Sequence, residues 1–142
     1  MGRPQLLTRD YLERLGVVKI TEDGNVYLCD KTGGVYLANI GLSEKKSRFG
    51  IQKYHHFSIY DPDIYQANKN KYPSAGMKKV ILSRAMYAWF YNEAPAGMDV
   101  DHINGDSLDD RIENLQLLTR KENLAKRKGN INQYGLRLKE RN

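Results

Sequence analysis

Cysteine is almost absent from this sequence, since Cys29 is the only one in 142 residues. A single cysteine excludes a disulfide framework within one chain and any cysteine-based zinc ribbon. Long hydrophobic runs are missing too, because no apolar stretch approaches the ~20 residues that a membrane span needs. The first residues, MGRPQLLTRDYLERLG, are too polar for a secretory signal peptide. We therefore expect an intracellular protein that does not enter a membrane.

Acidic residues are scarce except in one segment. The chain carries a net charge of +6, with an isoelectric point near 9.4. Residues 1–97 carry +5, residues 98–118 carry −5 and residues 119–142 carry +6. The basic segments suit a polyanion such as nucleic acid, which the acidic segment would repel unless a cation lay there. A solvated acidic loop in a basic protein would give the same pattern, so charge alone leaves both interpretations open.

The N-terminal part of the chain is predicted to be rich in β-strands. A short helix over Thr8–Leu15 precedes a strand over Val17–Ile20 and a hairpin with strands Asn25–Cys29 and Gly34–Ala38. Alternation predicts one apolar hairpin face, made of Val26, Leu28, Val35 and Leu37. Tyr27 and Tyr36 are expected on the other face, which could either pack or lie on DNA.

The next segment is basic and polar. Gly41–Gly50 is predicted to be a loop whose cations either are solvated or contact phosphates: Lys45, Lys46 and Arg48. His55 and His56 are adjacent on a predicted strand, so they point to opposite faces and suit packing or the surface better than a metal site. Asp61-Pro62-Asp63 is expected to break the chain, and residues 66–76 to form a long loop or a boundary between two lobes.

An apolar helix is predicted directly before the acidic segment. Apolar residues recur at helical spacing after a short strand over Lys79–Leu82, with Ser83 as a candidate N-cap. The repeating positions are Leu82, Ala85, Met86, Trp89 and Phe90. This stripe is expected to form core that supports the acidic segment.

The acidic segment combines a strand, a turn, a return strand and a capped helix. Met98–His102 is expected to be extended, and Leu115–Leu118 to return along it. Thr119 and Glu122 form a capping box at the start of the last helix. This order can bring Asp101, His102 and Asn123 together. Such a group of side chains would suit one hard metal ion and a general base for the hydrolysis of a phosphodiester. Helical spacing places three cations on the face of Asn123: Arg120, Lys126 and Arg127.

The segment DHINGDSLDDRIENLQLLTRKEN resembles the HNH endonucleases, also called ββα-metal or His-Me finger nucleases. It is most similar to the phage and intron homing type, whose pattern runs roughly DHINGD…DNRxxNLxxxTxxEN. The resemblance covers about residues 79–125 and excludes the N-terminal half. It implies an α+β protein in which a ββα-metal motif packs with a small β-rich, DNA-binding part. The sequence departs from the family pattern at two positions. The last motif residue is Asn123 where other family members have His, and Asp110 stands where the pattern has Asn.

The resemblance implies a role for each matching residue. His102 corresponds to the general base, and Asp101 and Asn123 to ligands of one Mg²⁺ or Mn²⁺ ion. Asn114 corresponds to the Asn that fixes the loop and the base by hydrogen bonds. The cations expected to hold DNA phosphates are Arg120, Lys126, Arg127 and Lys128, joined by Lys45, Lys46 and Arg48. Each of these features taken alone has a simpler explanation. Asp101-His102 would suit an ion pair in an ordinary turn, and Asn114 would suit a structural role. The helix cations would suit the solvated end of a helix.

These observations predict three regions: a β-rich DNA-recognition part over 1–76, an HNH nuclease domain over 77–128 and a basic tail over 129–142. The predicted function is metal-dependent endonucleolytic hydrolysis of double-stranded DNA, leaving 5′-phosphate and 3′-hydroxyl ends. A monomer would nick one strand and a homodimer could cut both. The alternatives are an inactive DNA-binding protein on the same scaffold, or a nuclease that acts on RNA. A phage-type protein in the cytoplasm of a bacterial host is expected.

Overall fold

Short helices and antiparallel sheets make up the fold. The computed structural model describes residues 7–48, 50–68, 70, 76–92, 97–129 and 132–134. Within these ranges the strands form two three-stranded sheets and one two-stranded sheet, all antiparallel. This mixture of helix and antiparallel sheet confirms the predicted α+β class. None of the described helices combines the length and apolarity needed to cross a bilayer.

The first layer is a helix packed beside a three-stranded sheet. Helix α1 (Arg9–Arg14) begins after Thr8, whose hydroxyl accepts a hydrogen bond from the Tyr11 amide at 3.1 Å. The sheet has the order β1 (Val17–Ile20), β2 (Val26–Cys29) and β3 (Val35–Leu37). These elements confirm the predicted helix, strand and hairpin in their order along the chain.

The faces of the hairpin differ from the prediction. Leu28 lies opposite Tyr36, and Tyr27 lies opposite Leu37. Because directly opposed residues share a face, Leu28 and Tyr36 lie on one side, and Val35 and Leu37 on the other. The predicted common face was therefore wrong by one position, since the turn closed by Asp30 and Gly34 sets a register that alternation within each strand does not reveal.

The second sheet contains a strand where the sequence suggested a loop. Its order is β4 (Gly41–Ser47), β5 (Gly50–Tyr60) and β6 (Met77–Ile81). Every residue of β4 pairs with β5, from Gly41 opposite His56 to Ser47 opposite Gly50. Pairing with a long neighbouring strand thus overrides the low β-propensity of a segment rich in Gly, Ser and Lys.

The second helix is not predicted from the sequence. Helix α2 (Pro62–Asn68) begins where a break was expected. Asp61 accepts a hydrogen bond from the Asp63 amide at 2.9 Å, and Pro62 occupies the first helical position, which needs no amide hydrogen. Asp61 is buried and also accepts a hydrogen bond from the Tyr11 hydroxyl, which joins α2 to α1. The Asp-Pro pair signalled a helix start as well as a break.

The C-terminal part begins with helix α3 (Leu82–Tyr91), which follows β6 without a loop. The predicted apolar stripe is confirmed as core, because Ala85, Met86 and Trp89 are buried on it. The predicted cap at Ser83 is wrong, since the cap position is Ile81 and no side chain caps the helix. Ser83 is itself a buried helical residue.

After α3 the chain follows the predicted order of strand, strand and helix. A short 3₁₀ turn over Ile112–Asn114 precedes the second strand. The elements are β7 (Met98–His102), β8 (Leu115–Thr119) and α4 (Arg120–Arg127). Strands β7 and β8 pair from Met98 opposite Thr119 to His102 opposite Leu115.

One hydrophobic core extends through both halves of the chain. The buried cluster includes Leu12, Val26 and Phe57 from the N-terminal part and Met86 and Leu115 from the C-terminal part. Strand β6 hydrogen-bonds to β5, so the boundary proposed at residue 76 falls between two strands of one sheet. Helix α3 contacts α1, β5, β7 and β8, and thereby holds the last two strands against the rest of the fold.

Candidate active site

The turn after β7 brings the Asp101-His102 pair to the end of a strand. His102 is the last residue of the strand, and its carbonyl accepts a hydrogen bond from the Gly105 amide at 2.9 Å. Gly105 has a φ of +80°, a conformation that a glycine adopts without a steric penalty. The sequence INGD therefore ends the strand as expected, and Asp101 and His102 both line one cavity.

Asp101 is held on one carboxylate oxygen by two donors. Gln116 lies directly opposite it on β8 and donates from Nε2 to Oδ2 at 2.8 Å. Lys126 on α4 donates from Nζ to the same oxygen at 2.5 Å. The Lys126 ammonium also donates to the backbone carbonyls of His102 and Ile103, at 3.0 and 3.1 Å. A cation is thus already stabilised by three oxygens, and among the described residues no donor reaches Asp101 Oδ1.

Asn123 is placed by the capped start of α4. The predicted capping box is present, because Thr119 and Glu122 exchange hydrogen bonds of 2.9 and 3.1 Å. The bond from the Thr119 backbone amide lowers the pKa of the Glu122 carboxyl, which keeps this carboxylate ionised. One turn into the helix, Asn123 Nδ2 donates to Asp99 Oδ2 at 3.0 Å. Asp99 therefore fixes which end of the amide is nitrogen and leaves the oxygen for another partner.

The His102 ring is bound to a carboxylate through one nitrogen. His102 Nε2 lies 2.7 Å from Asp110 Oδ1, and both side chains are nearly buried. An ionised carboxylate only accepts hydrogen bonds, so the ring proton of a neutral His102 belongs on Nε2. The lone pair of the ring is then on Nδ1, where it can accept a proton.

Asn114 stabilises the loop between β7 and β8. Its Oδ1 accepts from the Asn104 amide at 3.0 Å, and its Nδ2 donates to Asn104 Oδ1 at 3.0 Å and to the Asp109 carbonyl at 2.8 Å. Its carbonyl accepts from the Ile103 amide at 2.7 Å. In the same loop, hydrogen bonds from Arg111 lower the pKa of the Asp109 carboxyl to about 2. Asn114 thus stabilises the loop that follows His102, with no direct bond to the His102 ring.

The N-terminal part holds this loop at three points. The Ser107 hydroxyl donates to the Lys53 carbonyl on β5. His55, also on β5, lies with Nδ1 2.8 Å from Asp110 Oδ2. The Ile112 amide donates to the Glu22 carbonyl in the β1–β2 turn at 3.1 Å. The loop that carries Asp110 therefore takes its position from both sheets of the N-terminal part.

Asp101, His102 and Asn123 line the same cavity, which has a volume of about 260 Å³. Gln52 of β5 and Lys126 and Arg127 of α4 complete its polar wall, while Val100, Gly105 and Ser107 supply the remainder. A neighbouring groove shares His102, Asn123 and Arg127 and extends to Lys45 and Arg84. The three residues that the sequence placed at one point thus meet at one opening.

The predicted phosphate-binding cations occupy different surroundings. Lys45 lines the groove beside His102, whereas Lys46 is the next residue of the same strand and faces the other side. Lys126 points into the cavity and is paired with Asp101. The remaining predicted cations are exposed: Arg120, Arg127 and Lys128 at the two ends of α4, and Arg48 in the β4–β5 turn.

Four residues around the site are not identified as functional by the sequence alone. Asp99, Gln116, Asp110 and His55 each bind a predicted functional side chain or its partner. The sequence does carry a signal for Asp110, which stands where the family pattern has Asn. A buried carboxylate in place of an amide needs hydrogen-bond donors on its oxygens, and here the two histidines provide them. His55 gave no signal, since its partner is 55 residues away.

The segment that forms this site is similar to known proteins. A family model described as HNH endonuclease matches residues 82–125, from α3 to α4. Residues 82–125 are therefore similar to the HNH endonucleases. The HNH segment thus contains the predicted base and metal ligands, whereas His55 and Gln52 lie outside it.

A curated relative supports the same assignment. YosQ, an SPbeta prophage-derived protein of Bacillus subtilis (strain 168), is 32% identical over 62 residues, and its name presents it as a candidate HNH homing endonuclease. The match covers 44% of this chain and 36% of YosQ. The chain thus spans about a third of the relative that it matches. No solved structure matches this chain.

The donor set of the site fits a hard divalent cation. Asp101 supplies a carboxylate oxygen and Asn123 an amide oxygen, and both line the cavity. The Lys126 ammonium between Asp101 and two carbonyls shows that this end of the cavity stabilises positive charge. Within the described ranges, this cavity included, no three His, Cys, Asp or Glu side chains cluster, so the candidate protein ligands are one carboxylate and one amide oxygen. A metal here would complete its shell with water or phosphate oxygens.

Proposed function

We propose that this protein is a divalent-metal-dependent endonuclease that hydrolyses phosphodiester bonds in double-stranded DNA. One observation carries this proposal: the base and the two oxygen ligands expected of an HNH nuclease line one open cavity with cations around its rim. The match of residues 82–125 to the HNH endonuclease family supports it independently.

His102 is the proposed general base. With its Nε2–H donated to Asp110, the Nδ1 lone pair takes a proton from a water molecule. The resulting hydroxide attacks phosphorus, the bond from phosphorus to the 3′-oxygen breaks, and this oxygen takes a proton from solvent. The products are a 5′-phosphate and a 3′-hydroxyl.

Asp101 and Asn123 are the proposed ligands of one Mg²⁺ or Mn²⁺ ion. A bound divalent ion supplies charge stabilisation to the phosphorane and the departing oxygen. Asn123 Nδ2 donates to Asp99, which leaves the Asn123 amide oxygen available to an ion. Gln116 donates to the Asp101 carboxylate and fixes its orientation. Both ligands are therefore oriented by protein hydrogen bonds before an ion arrives.

The basic side chains beside the cavity are proposed to hold the DNA backbone. Lys45 lies on the groove wall next to His102, and Arg127 lies where the groove and the cavity meet. Arg120, Lys128, Lys46 and Arg48 are exposed and extend the positive surface. Such contacts give affinity without sequence choice. Lys126 can join them only when its pair with Asp101 opens.

The proposal is tested by cleavage of supercoiled plasmid. We expect nicking or linearisation with Mg²⁺ or Mn²⁺, loss of cleavage with EDTA, and ends that a ligase can rejoin. The same reaction is run with duplex DNA, single-stranded DNA and RNA in competition. No cleavage of any DNA with either metal would overturn the proposal in favour of an inactive DNA-binding protein, and preferred cleavage of RNA would favour an RNA nuclease.

The name of YosQ suggests a homing role, which we propose also for this chain. The β-rich part would recognise the target, and the basic tail beyond residue 129 would add a backbone contact. Most of that tail lies outside the described residues, although the Gln133 carbonyl accepts a hydrogen bond from Gln116 at 2.6 Å. A monomer would nick its target, so the ratio of nicked to linear plasmid reports how many chains act together.

A further inference from the structure

Asp110 connects two histidines from different parts of the fold. One carboxylate oxygen lies 2.7 Å from His102 Nε2 and the other lies 2.8 Å from His55 Nδ1. The Asp110 side chain is 5% exposed, against 12% for His102 and 30% for His55. A carboxylate this deeply buried needs donors on both oxygens, and the two imidazoles provide them.

From this arrangement we propose that Asp110 is a positioning residue for the proposed base, and that His55 of the N-terminal sheet holds Asp110 in place. This inference rests on the proposed nuclease function and adds a requirement from outside the HNH segment. Asp110 fixes the His102 proton on Nε2 and the orientation of the ring. His55 donates Nδ1–H to the other oxygen and prevents the carboxylate from rotating.

The chemistry of the carboxylate supports this role. An Asn at position 110 offers one acceptor and one donor, so it can satisfy a histidine in either tautomer. An Asp offers acceptors alone and therefore selects the Nε2–H tautomer of His102. Selection matters because the other tautomer places the proton on Nδ1, where the lone pair of a base is needed.

The position of His55 supports a coupling to the N-terminal sheet. Strand β6 pairs with β5 only from His56 onward, so the edge of β5 before His56 faces the catalytic loop instead. The Ser107 hydroxyl donates to the Lys53 carbonyl on that same edge. Displacement of β5 would thus move Asp110, and through it the His102 ring.

The first test measures the ring directly. In full-length protein with ¹⁵N-labelled histidine at alkaline pH, NMR is expected to show His102 as the Nε2–H tautomer, and the D110N variant to show a mixture or the Nδ1–H form. The D109N variant is the matched control: Asp109 is the adjacent acid, is bound to Arg111 and Asn104, and contacts neither histidine. An unchanged Nε2–H tautomer in the D110N variant would overturn the proposal.

The second test separates rate from affinity. We expect the D110N variant to lower kcat for plasmid cleavage by at least ~10-fold with KM unchanged within about twofold, whereas the D109N variant stays near the parent. A kcat of the D110N variant equal to that of the parent would contradict the positioning role. Because the tautomer is measured without cleavage, a parent that cuts no DNA would overturn the proposed function while the NMR result still decides the proposal on Asp110.

The third test examines His55. The amide nitrogen of Asn lies where His Nδ1 lies, so the H55N variant keeps a donor toward Asp110, and the H55L variant fills similar space without one. We expect the H55N variant to stay within about threefold of the parent kcat, and the H55L variant to fall further with unchanged KM. Equal rates for these two variants would show that the hydrogen bond does not matter. This pair also decides the question if the D110N variant fails to fold.

Discussion

Replacing His102 with alanine is expected to lower Mg²⁺-dependent plasmid nicking by ~10²–10⁴-fold, the range that a general base contributes. The His102 imidazole lines the cavity, and its Nε2 is hydrogen-bonded to the Asp110 carboxylate. This bond leaves the lone pair of the ring on Nδ1. The affinity for DNA should remain, because the cations that we propose to contact phosphates are other side chains, on or directly after β4 and α4. The measurement is the initial nicking rate at saturating metal, together with a mobility-shift titration.

A matched control for this variant is the H56Q substitution. His56 is bound to Ser43 at 2.8 Å on the sheet, lies away from the catalytic cavity, and has a pKa lowered by burial and by the charges of Lys79 and His55. We expect the H56Q variant to cut at nearly the parent rate. If the H102A variant cuts as fast as the parent, His102 is not the base; if it loses DNA affinity as well, its effect is on binding.

Truncation of Phe57 is expected to have the largest effect on stability. Its side chain is 1% exposed on β5, opposite Val80, inside the cluster that joins both halves of the chain. Phe→Ala changes in cores cost about 3–5 kcal/mol, out of a typical total of 5–15 kcal/mol. The F57A variant should therefore melt at least roughly 10 °C lower.

The shared core predicts how this variant unfolds. Circular dichroism and loss of cleavage should report one common transition, since β5, α3 and β8 pack on the same cluster. The L37A variant is the control, because Leu37 is 55% exposed on β3, and its change should stay within about 0.5 kcal/mol. Two separate transitions, in which the C-terminal part stays folded after the first sheet has unfolded, would contradict a single core.

Much of the C-terminal part could be predicted because its signals are local. The capping box at Thr119, the turn at Gly105 and the apolar stripe through Met86 each involve residues within a few positions of one another. Their combination was enough to place Asp101, His102 and Asn123 at one cavity. Local chemistry therefore predicted which side chains line this cavity, while their roles as base and metal ligands stay predictions.

The errors arose where distant pairing decides the structure. The polar residues of segment 41–50 predict a loop, but in the structure a residue of β5 lies opposite each of them from Gly41 to Ser47. The face of Val35 depends on a register that the turn sets, and the role of His55 depends on a carboxylate 55 positions away. Composition and periodicity within one segment contain no information about such partners.

The location of a bound metal ion tests the central claim most directly. Crystals of the protein soaked with Mn²⁺ and measured at a wavelength where manganese scatters anomalously would show where the ion binds. We predict a single strong peak about 2.0–2.6 Å from an oxygen of Asp101 and from the amide oxygen of Asn123, with the Lys126 ammonium displaced from Asp101. A manganese peak elsewhere, with Lys126 still paired to Asp101, would contradict the account.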